Sequence, residues 1–137
     1  MKAHAVILAA GLSERFQGDK NKVFTSFKGQ PLIKYLLNTY INSSIFDTIS
    51  VLVNIQDRPT LEKLIGVNGN FSNVRIFEGG ETRHQSEEKA LQYLKEEGVE
   101  SEDLISIHDA ARAFIEIELL SELIDTARLY KSSVPAL

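Results

Sequence analysis

The chain has 137 residues, of which 43% are hydrophobic and 25% are charged, and it contains no cysteine. This length suits one domain with a genuine core, and the composition is that of a globular protein. The net charge of −4 argues against broad binding to nucleic acid or to an anionic membrane. The absence of cysteine excludes disulfides and thiolate metal sites and favours a cytoplasmic location. We expect no signal peptide, because the apolar run after Lys2 is short and Gly11 interrupts it.

Short apolar runs alternate with amphipathic stretches, which is the pattern of βα units around a mostly parallel sheet. Two-sided apolar runs predict strands covered on both faces at Ala5–Ala10, Ile49–Asn54, Val74–Glu78 and Leu104–His108. Helices are predicted at Pro31–Ile41, roughly Arg58–Ile65, Arg83–Glu97 and Glu116–Lys131. We therefore expect an α/β fold with a mostly parallel sheet and helices on both of its faces.

Apolar residues at helical spacing mark the buried faces of the last two predicted helices. The two stripes consist of Ala90, Leu91 and Leu94, and of Leu120, Leu123, Ile124 and Ala127. We interpret both stripes as core and assign them no function.

Residues 132–137, with the sequence SSVPAL, read as a loop entering a further apolar strand. A βα series normally closes on a complete strand or a docked helix. We therefore expect the sheet to lack an edge, which would expose apolar surface and unpaired backbone groups. Self-association or marginal stability is the expected consequence.

The first predicted strand ends in a glycine-containing, cationic loop. The apolar run Ala5–Ala10 breaks at Gly11, and the loop after it carries Arg15, Lys20 and Lys22. Such a loop suits a phosphorylated ligand, because backbone N–H groups can face the oxyanions and fixed positive charge offsets theirs. An ordinary strand and loop with solvated charges remains the alternative for this segment alone.

Two known phosphate-binding patterns do not fit this loop. No Gly-Lys-Ser/Thr follows, so it is not a P-loop. Ser13 and Glu14 occupy positions where the dinucleotide fingerprint needs further glycines. A nicotinamide-binding domain is therefore disfavoured.

Two further segments follow predicted strands, at the edge where open α/β sheets place their ligands. In the segment Gly79–Ser86, two glycines permit close backbone approach, and Ser86 lies in the first turn of a predicted helix. For the glycines alone, a turn with a helix cap explains the pattern. In the segment His108–Arg112, Asp109 follows a buried strand, as is typical of a Mg²⁺ carboxylate.

The pair His108 and Asp109 could also suggest a two-metal phosphohydrolase. That chemistry needs several more histidines, and the chain has only His4 and His84 besides. We set this alternative aside and interpret His108 as a packed, hydrogen-bonded core histidine.

These three segments together resemble a family. Ala9-Ala10-Gly11-Leu12-Ser13-Glu14-Arg15 with Lys22, then Gly79-Gly80-Glu81-Thr82-Arg83 with Ser86, then His108-Asp109-Ala110-Ala111-Arg112 are similar to motifs of the 2-C-methyl-D-erythritol 4-phosphate cytidylyltransferases. The resemblance runs from residue 3 to the end. It implies a Rossmann-like nucleotidyltransferase fold that transfers a cytidylyl group from CTP to the sugar-alcohol phosphate, releasing pyrophosphate for isoprenoid precursor synthesis.

The resemblance implies a role for each matching residue. Ala9, Ala10 and Gly11 would wrap the triphosphate of CTP, and Gly80, Glu81 and Ser86 would hold the cytosine end. Arg15 and Lys22 would be catalytic, stabilising charge on the α-phosphate as pyrophosphate leaves. Asp109 would bind Mg²⁺, with Ala110 beside the nucleotide and Arg112 near the sugar phosphate. Phosphoryl and nucleotidyl transfer depend mainly on such positioning and electrostatic stabilisation.

Three features depart from the family pattern. Asn21 and Ala113 stand where many members have proline, which we expect to change loop stiffness more than chemistry. Family members also continue into another strand, an arm that pairs subunits into a homodimer, and the rest of the acceptor site. We therefore expect residues 1–137 to be the nucleotide-binding portion of a single cytidylyltransferase domain, lacking the C-terminal part and poorly active alone.

Two alternative functions stay open at this point. The relatives that use ribitol 5-phosphate usually have Ala-Val-Arg in the third motif, so Ala110, Ala111 and Arg112 favour the methylerythritol enzyme. A non-catalytic module that binds CTP or another protein is the other alternative.

Overall fold

The computed structural model describes residues 1–10, 21–66, 71 and 73–131. The strands are β1 (Ala3–Leu8), β2 (Ser26–Phe27), β3 (Gln30–Pro31), β4 (Thr48–Val53), β5 (Val74–Glu78) and β6 (Leu104–Asp109). The helices are α1 (Leu32–Ser43), α2 (Arg58–Gly66), α3 (Arg83–Glu96) and α4 (Ile117–Tyr130), and a 3-10 turn spans Lys22–Phe24. All four predicted strands and all four predicted helices are present, with boundaries shifted by a few residues.

The main sheet has the strand order β5-β4-β1-β6, and every neighbouring pair in it is parallel. β1 is central and completely buried, because its run of alanine, valine, isoleucine and leucine packs on both faces. A separate two-stranded antiparallel ribbon joins β2 to β3. Its turn uses Lys28 and Gly29, both at positive φ, and its strands are too short to be recognised from sequence.

Helices cover both faces of the sheet, as expected. On one face, α1, α2 and α4 bury a large cluster that includes Ile7, Ile33, Leu36, Leu61 and Leu120. On the other face, α3 alone packs Ala90 and Leu94 against Val6, Leu8 and Leu52 of the two central strands. The architecture is therefore a three-layer α/β sandwich within the described residues.

Two sequence expectations about burial were wrong. Leu91, assigned to the core stripe of α3, is 49% exposed, because the face of α3 that packs on the sheet carries Ala90 and Leu94 and leaves Leu91 outside the cluster. The outer face of β6 is also partly open, since Ile105 and Ile107 are 37% and 39% exposed. The cluster beneath α3 draws on β1 and β4 and includes no residue of β6, which leaves that strand half covered.

A hydrogen-bonded group of polar residues closes the amino end of the sheet. The buried His4 contacts Thr48 Oγ1 at 2.9 Å through Nδ1 and Asp103 Oδ2 at 3.0 Å through Nε2. The backbone N–H groups of Lys2 and Glu100 also donate to Asp103. These hydrogen bonds, that of Lys2 first, lower the pKa of Asp103 to about 2. A cavity of about 430 Å³ lies here, but its polar groups bond to one another, so we interpret it as structural.

Candidate functional site

Three backbone hydrogen bonds align the three sequence segments at the carboxyl edge of the sheet. The N–H of Ala9 donates to Leu52 O at 2.8 Å, and the N–H of Ala110 donates to Leu8 O at 2.9 Å. The N–H of Gly79 donates to Val53 O at 2.9 Å. The third segment therefore leaves the sheet beside the end of β1, and the first and second segments leave it on either side of the end of β4, all at the same edge.

The first segment reaches this edge as buried backbone. Ala9 and Ala10 are 1% and 3% exposed, so both residues are buried at this edge. Gly11 and Arg15 lie outside the described residues. Lys22 is exposed and begins the 3-10 turn, whose next residues, Val23 and Phe24, are buried in the core.

Asn21 is a site-edge residue whose contacts the sequence analysis missed. It is 3% exposed, and its side-chain amide donates to Ala9 O at 2.8 Å and to Asp57 Oδ2 at 3.2 Å. Its Oδ1 accepts the N–H of Val23 at 3.2 Å. The preference of asparagine for helix N-caps was the available signal, but the bonds to Ala9 and Asp57 have no local sequence signature.

The second segment needs its glycines because neighbouring atoms leave no room for a Cβ. A Cβ on Gly79 would lie 2.4 Å from the Cβ of Ala10, and a Cβ on Gly80 would lie 2.4 Å from the Cβ of Gln85. The buried Ser86 Oγ accepts the N–H of Gly80 at 3.0 Å. These contacts seat the second segment directly against the first.

Two side-chain hydrogen bonds cap the N-terminus of α3. Thr82 Oγ1 accepts the N–H of Gln85 at 3.1 Å, and Gln85 Oε1 accepts the N–H of Glu81 at 2.8 Å. Reciprocal bonds of this kind satisfy backbone donors that a helix N-terminus otherwise leaves free. The Glu81 side chain stays exposed at the rim.

His108 of the third segment is a hydrogen-bonded histidine held against the core, as predicted. Its Nε2 lies 2.7 Å from the carbonyl oxygen of Arg112, and its Nδ1 lies 2.9 Å from the Tyr40 hydroxyl. A carbonyl can only accept, so Nε2 carries the proton and Tyr40 donates to Nδ1. Burial lowers the pKa of His108 and so favours this neutral form. The N–H of Arg112 donates to Asp109 O at 3.0 Å, which closes the turn.

An ion pair connects the second and third segments. Arg83 Nη1 lies 2.6 Å from Asp109 Oδ2, and Arg83 Nε lies 3.3 Å from Glu87 Oε1. Asp109 is thus at the carboxyl edge, as predicted, but its partner here is a cation that the sequence analysis did not assign.

Within the described residues, no three His, Asp or Glu side chains cluster closely enough to hold a metal. A single carboxylate nevertheless fits Mg²⁺, because that ion is commonly bound by one or two carboxylates together with substrate phosphates. Asp109 offers such a ligand at the edge of the sheet.

A cavity of about 520 Å³ lies beside the third segment. Its described lining includes Arg83, Asp109 and Arg112, together with apolar residues of α4 and the exposed Phe114. Lys22, Gly80 and Ser86 are not among the described residues that line it. The structure thus brings the second and third segments to one cavity and leaves Lys22 on a separate turn.

Comparison with known proteins agrees with this geometry. The sequence pattern of the 2-C-methyl-D-erythritol 4-phosphate cytidylyltransferase family matches residues 3–137. The chain belongs to this family. The fold agrees, because solved structures of family proteins superimpose on most of the chain, as described next.

Three similar proteins illustrate the relationship. The bifunctional enzyme IspD/IspF of Pelagibacter ubique is 33% identical over the whole chain, which covers 35% of that enzyme. The 2-C-methyl-D-erythritol 4-phosphate cytidylyltransferase of Geobacillus kaustophilus is 32% identical over 99% of the chain and 58% of the enzyme. The structure of the Francisella tularensis cytidylyltransferase aligns with a TM-score of 0.71 at 25% identity, covering 97% of this chain and 54% of that one.

The chain therefore spans little more than half the length of the single-function relative, and about a third of the bifunctional one. Among the described residues, no helix has the length and apolar character needed to cross a membrane.

Proposed function

We propose that this chain forms the nucleotide-binding portion of a cytoplasmic cytidylyltransferase domain that transfers a cytidylyl group from CTP to 2-C-methyl-D-erythritol 4-phosphate. The observation that carries the proposal is the alignment of Ala9, Gly79 and Ala110 by three hydrogen bonds along one sheet edge. In family members the corresponding segments would each contact the nucleotide, and here all three leave the sheet at one edge, the first and the second on either side of the end of β4.

In the proposed reaction, an oxygen of the acceptor phosphate attacks the α-phosphorus of CTP. A new P–O bond forms, the bond between the α-phosphorus and the bridging oxygen breaks, and pyrophosphate leaves with that oxygen. The attacking phosphate is already ionised at neutral pH, so no general base is needed. Catalysis then rests on positioning and on stabilising the charge that develops at the α-phosphate.

The described residues suit the binding of both substrates, CTP and the acceptor phosphate. The backbone of Ala9 and Ala10 would face the triphosphate, while Gly80, Glu81 and Ser86 would hold the cytosine. Arg112 and Arg83 line the cavity beside Asp109, where their positive charge would attract the phosphate of the acceptor.

Asp109 would hold Mg²⁺, an ion commonly bound by one or two carboxylates together with substrate phosphates. The ion would neutralise charge on the phosphates. Because Arg83 contacts the same carboxylate at 2.6 Å, it would need to move aside or share Asp109 with the ion.

Arg15 and Lys22 would stabilise the charge that develops at the α-phosphate as pyrophosphate leaves. Lys22 is exposed at the start of the 3-10 turn, where its charge is free to approach a ligand at the sheet edge. Arg15 lies outside the described residues, and its role rests on the family resemblance alone.

Pyrophosphate release from CTP and Mg²⁺ tests the proposal, measured with methylerythritol phosphate, with ribitol 5-phosphate and without acceptor. Release that depends on methylerythritol phosphate supports it. Release only with ribitol 5-phosphate would indicate a ribitol-5-phosphate cytidylyltransferase instead. Calorimetric CTP binding without turnover, both in this chain and in a form extended to the length of the relatives, would indicate a non-catalytic module. Low activity of residues 1–137 alone and homodimer formation stay predictions, the second testable by sedimentation.

A further inference from the structure

The side chain of Asn21 is buried and makes three hydrogen bonds. Its Nδ2 donates to Ala9 O at 2.8 Å and to Asp57 Oδ2 at 3.2 Å, and its Oδ1 accepts from Val23 N at 3.2 Å. Both amide protons are therefore engaged. Three segments of the chain meet at this one side chain: the end of β1, the 3-10 turn and the residue before α2.

The backbone of Lys22 is held on both sides by this arrangement. Asn21 has φ −65° and ψ 131°, and its carbonyl accepts the N–H of Phe24 at 3.0 Å. The carbonyl of Lys22 accepts the N–H of Thr25 at 3.0 Å. Since Val23 and Phe24 are buried, the turn that carries Lys22 is tied to the core behind it and to Ala9 beside it.

We propose that Asn21 is a positioning residue that fixes Lys22 beside the phosphate-facing end of β1, an inference that rests on the proposed function. A lysine side chain is long and flexible, so its charge is preorganised only if its backbone is fixed. Preorganised charge lowers the barrier of the chemical step more than it strengthens substrate binding.

The amide is the group that this position requires. An aspartate has the same shape but lacks the donors for Ala9 O, and it would bring a second carboxylate against Asp57. An alanine leaves the carbonyl of Ala9 without its partner in a buried site. Asn21→Asp and Asn21→Ala should therefore both loosen the turn, with the aspartate at least as harmful despite its matching size.

Hydrogen exchange of the backbone amides tests the anchor without any need for activity. In Asn21→Ala we expect the amides of Phe24 and Thr25 to exchange about tenfold faster or more, while β4 and α1 stay protected. Asp57→Ala, which keeps the bond to Ala9, should give a smaller increase. Asn42→Ala, at an exposed position of α1, is the matched control and should leave exchange in the turn unchanged.

Kinetics of pyrophosphate release then test the consequence for Lys22. We expect Asn21→Ala to lower kcat about tenfold or more, while the KM for CTP changes less than about threefold. Unchanged protection of Phe24 and Thr25 would overturn the proposal, and so would a kcat equal to that of the Asn42→Ala control. These rates are measured on the form extended to the length of the relatives. If that form with the wild-type sequence releases no pyrophosphate, the proposed function has failed, and the exchange rates alone decide whether Asn21 fixes the backbone of Lys22.

Discussion

Gly79 packs so closely on Ala10 that a Cβ at position 79 would lie 2.4 Å from the Cβ of Ala10. Ala10 belongs to the first of the three segments at the carboxyl edge, and Gly79 begins the second. Their contact sets how closely the two segments approach each other, because both residues are buried. A glycine at position 79 is thus required by packing and not by a special φ value.

Gly79→Ala should consequently destabilise the fold and separate these segments. The added methyl group overpacks a buried site, which typically costs about 1–3 kcal/mol in the free energy of unfolding. Gly66→Ala is the matched control, since a Cβ at Gly66 would meet nothing within 4 Å. Urea denaturation of both variants provides the measurement. Equal stabilities of the two variants would show that the contact between Gly79 and Ala10 is not tight.

The stability of the fold should decline in acid because of Asp103. Its pKa is about 2 in the folded chain, against an ordinary value of 3.8. As the pH falls, the carboxylate of the unfolded chain therefore takes up its proton before that of the folded chain does. The contribution of Asp103 is therefore fully present above about pH 4 and is lost as the pH falls toward about 2.

Urea midpoints of the wild type and of Asp103→Asn, measured from about pH 5 downward, isolate this contribution. The difference between the two proteins should shrink steadily as the pH falls. A difference that stays constant across this range would show that the Asp103 carboxylate is not selectively stabilised by folding. Glu102→Gln, at a neighbouring exposed position, serves as the control.

Tyr40 should ionise unusually late. Burial raises its pKa to about 12, although the hydrogen bond with Ser106 opposes that shift. An unfolded tyrosine ionises near 10, so the stability that this buried phenol contributes is complete below about pH 10 and falls as the pH approaches 12. Spectrophotometric titration should resolve a tyrosine with a pKa of about 12, and this ionisation should be absent in Tyr40→Phe.

Tyr40→Phe should also cost about 1–3 kcal/mol in the free energy of unfolding at neutral pH, because it leaves Nδ1 of His108 without a donor. Tyr130→Phe is the matched control, since Tyr130 is 74% exposed. Equal stabilities of Tyr40→Phe and Tyr130→Phe would show that the Tyr40 hydroxyl does not stabilise the hydrogen-bonded group around His108.

The catalytic assignments predict a particular kinetic pattern. Lys22→Ala and Arg15→Ala should lower turnover more than CTP affinity, because both charges are proposed to act on the developing transition state. Loss of one preorganised charge typically raises the barrier by about 2–4 kcal/mol. Steady-state kinetics and CTP calorimetry separate the two effects. Weaker CTP binding at an unchanged maximal rate would show that the substituted residue is not catalytic.

Local sequence patterns predicted the central fold well. β1 and β4 are mostly apolar and rich in β-branched residues, as a strand buried on both faces requires, so their positions followed directly. The placement of Asp109 at the carboxyl edge followed from the same reasoning, since it ends the last described strand of the sheet.

The sequence pattern failed where distant contacts decide the outcome. Leu91 has the helical spacing of a core residue, but its exposure depends on how far α3 reaches across the sheet. The contact between Asn21 and Asp57 joins residues 36 positions apart, and the pair of Arg83 and Asp109 joins residues 26 apart. Neither partner could be read from the periodicity of its own segment.

Pyrophosphate release from CTP and Mg²⁺, with and without methylerythritol phosphate, tests the central claim most directly. It should be measured on this chain and on a form extended to the length of the relatives. We expect acceptor-dependent release by the extended form, and we expect Asp109→Asn and Lys22→Ala each to reduce it strongly. Acceptor-dependent release that survives both substitutions undiminished, or none from the extended wild type, would contradict it.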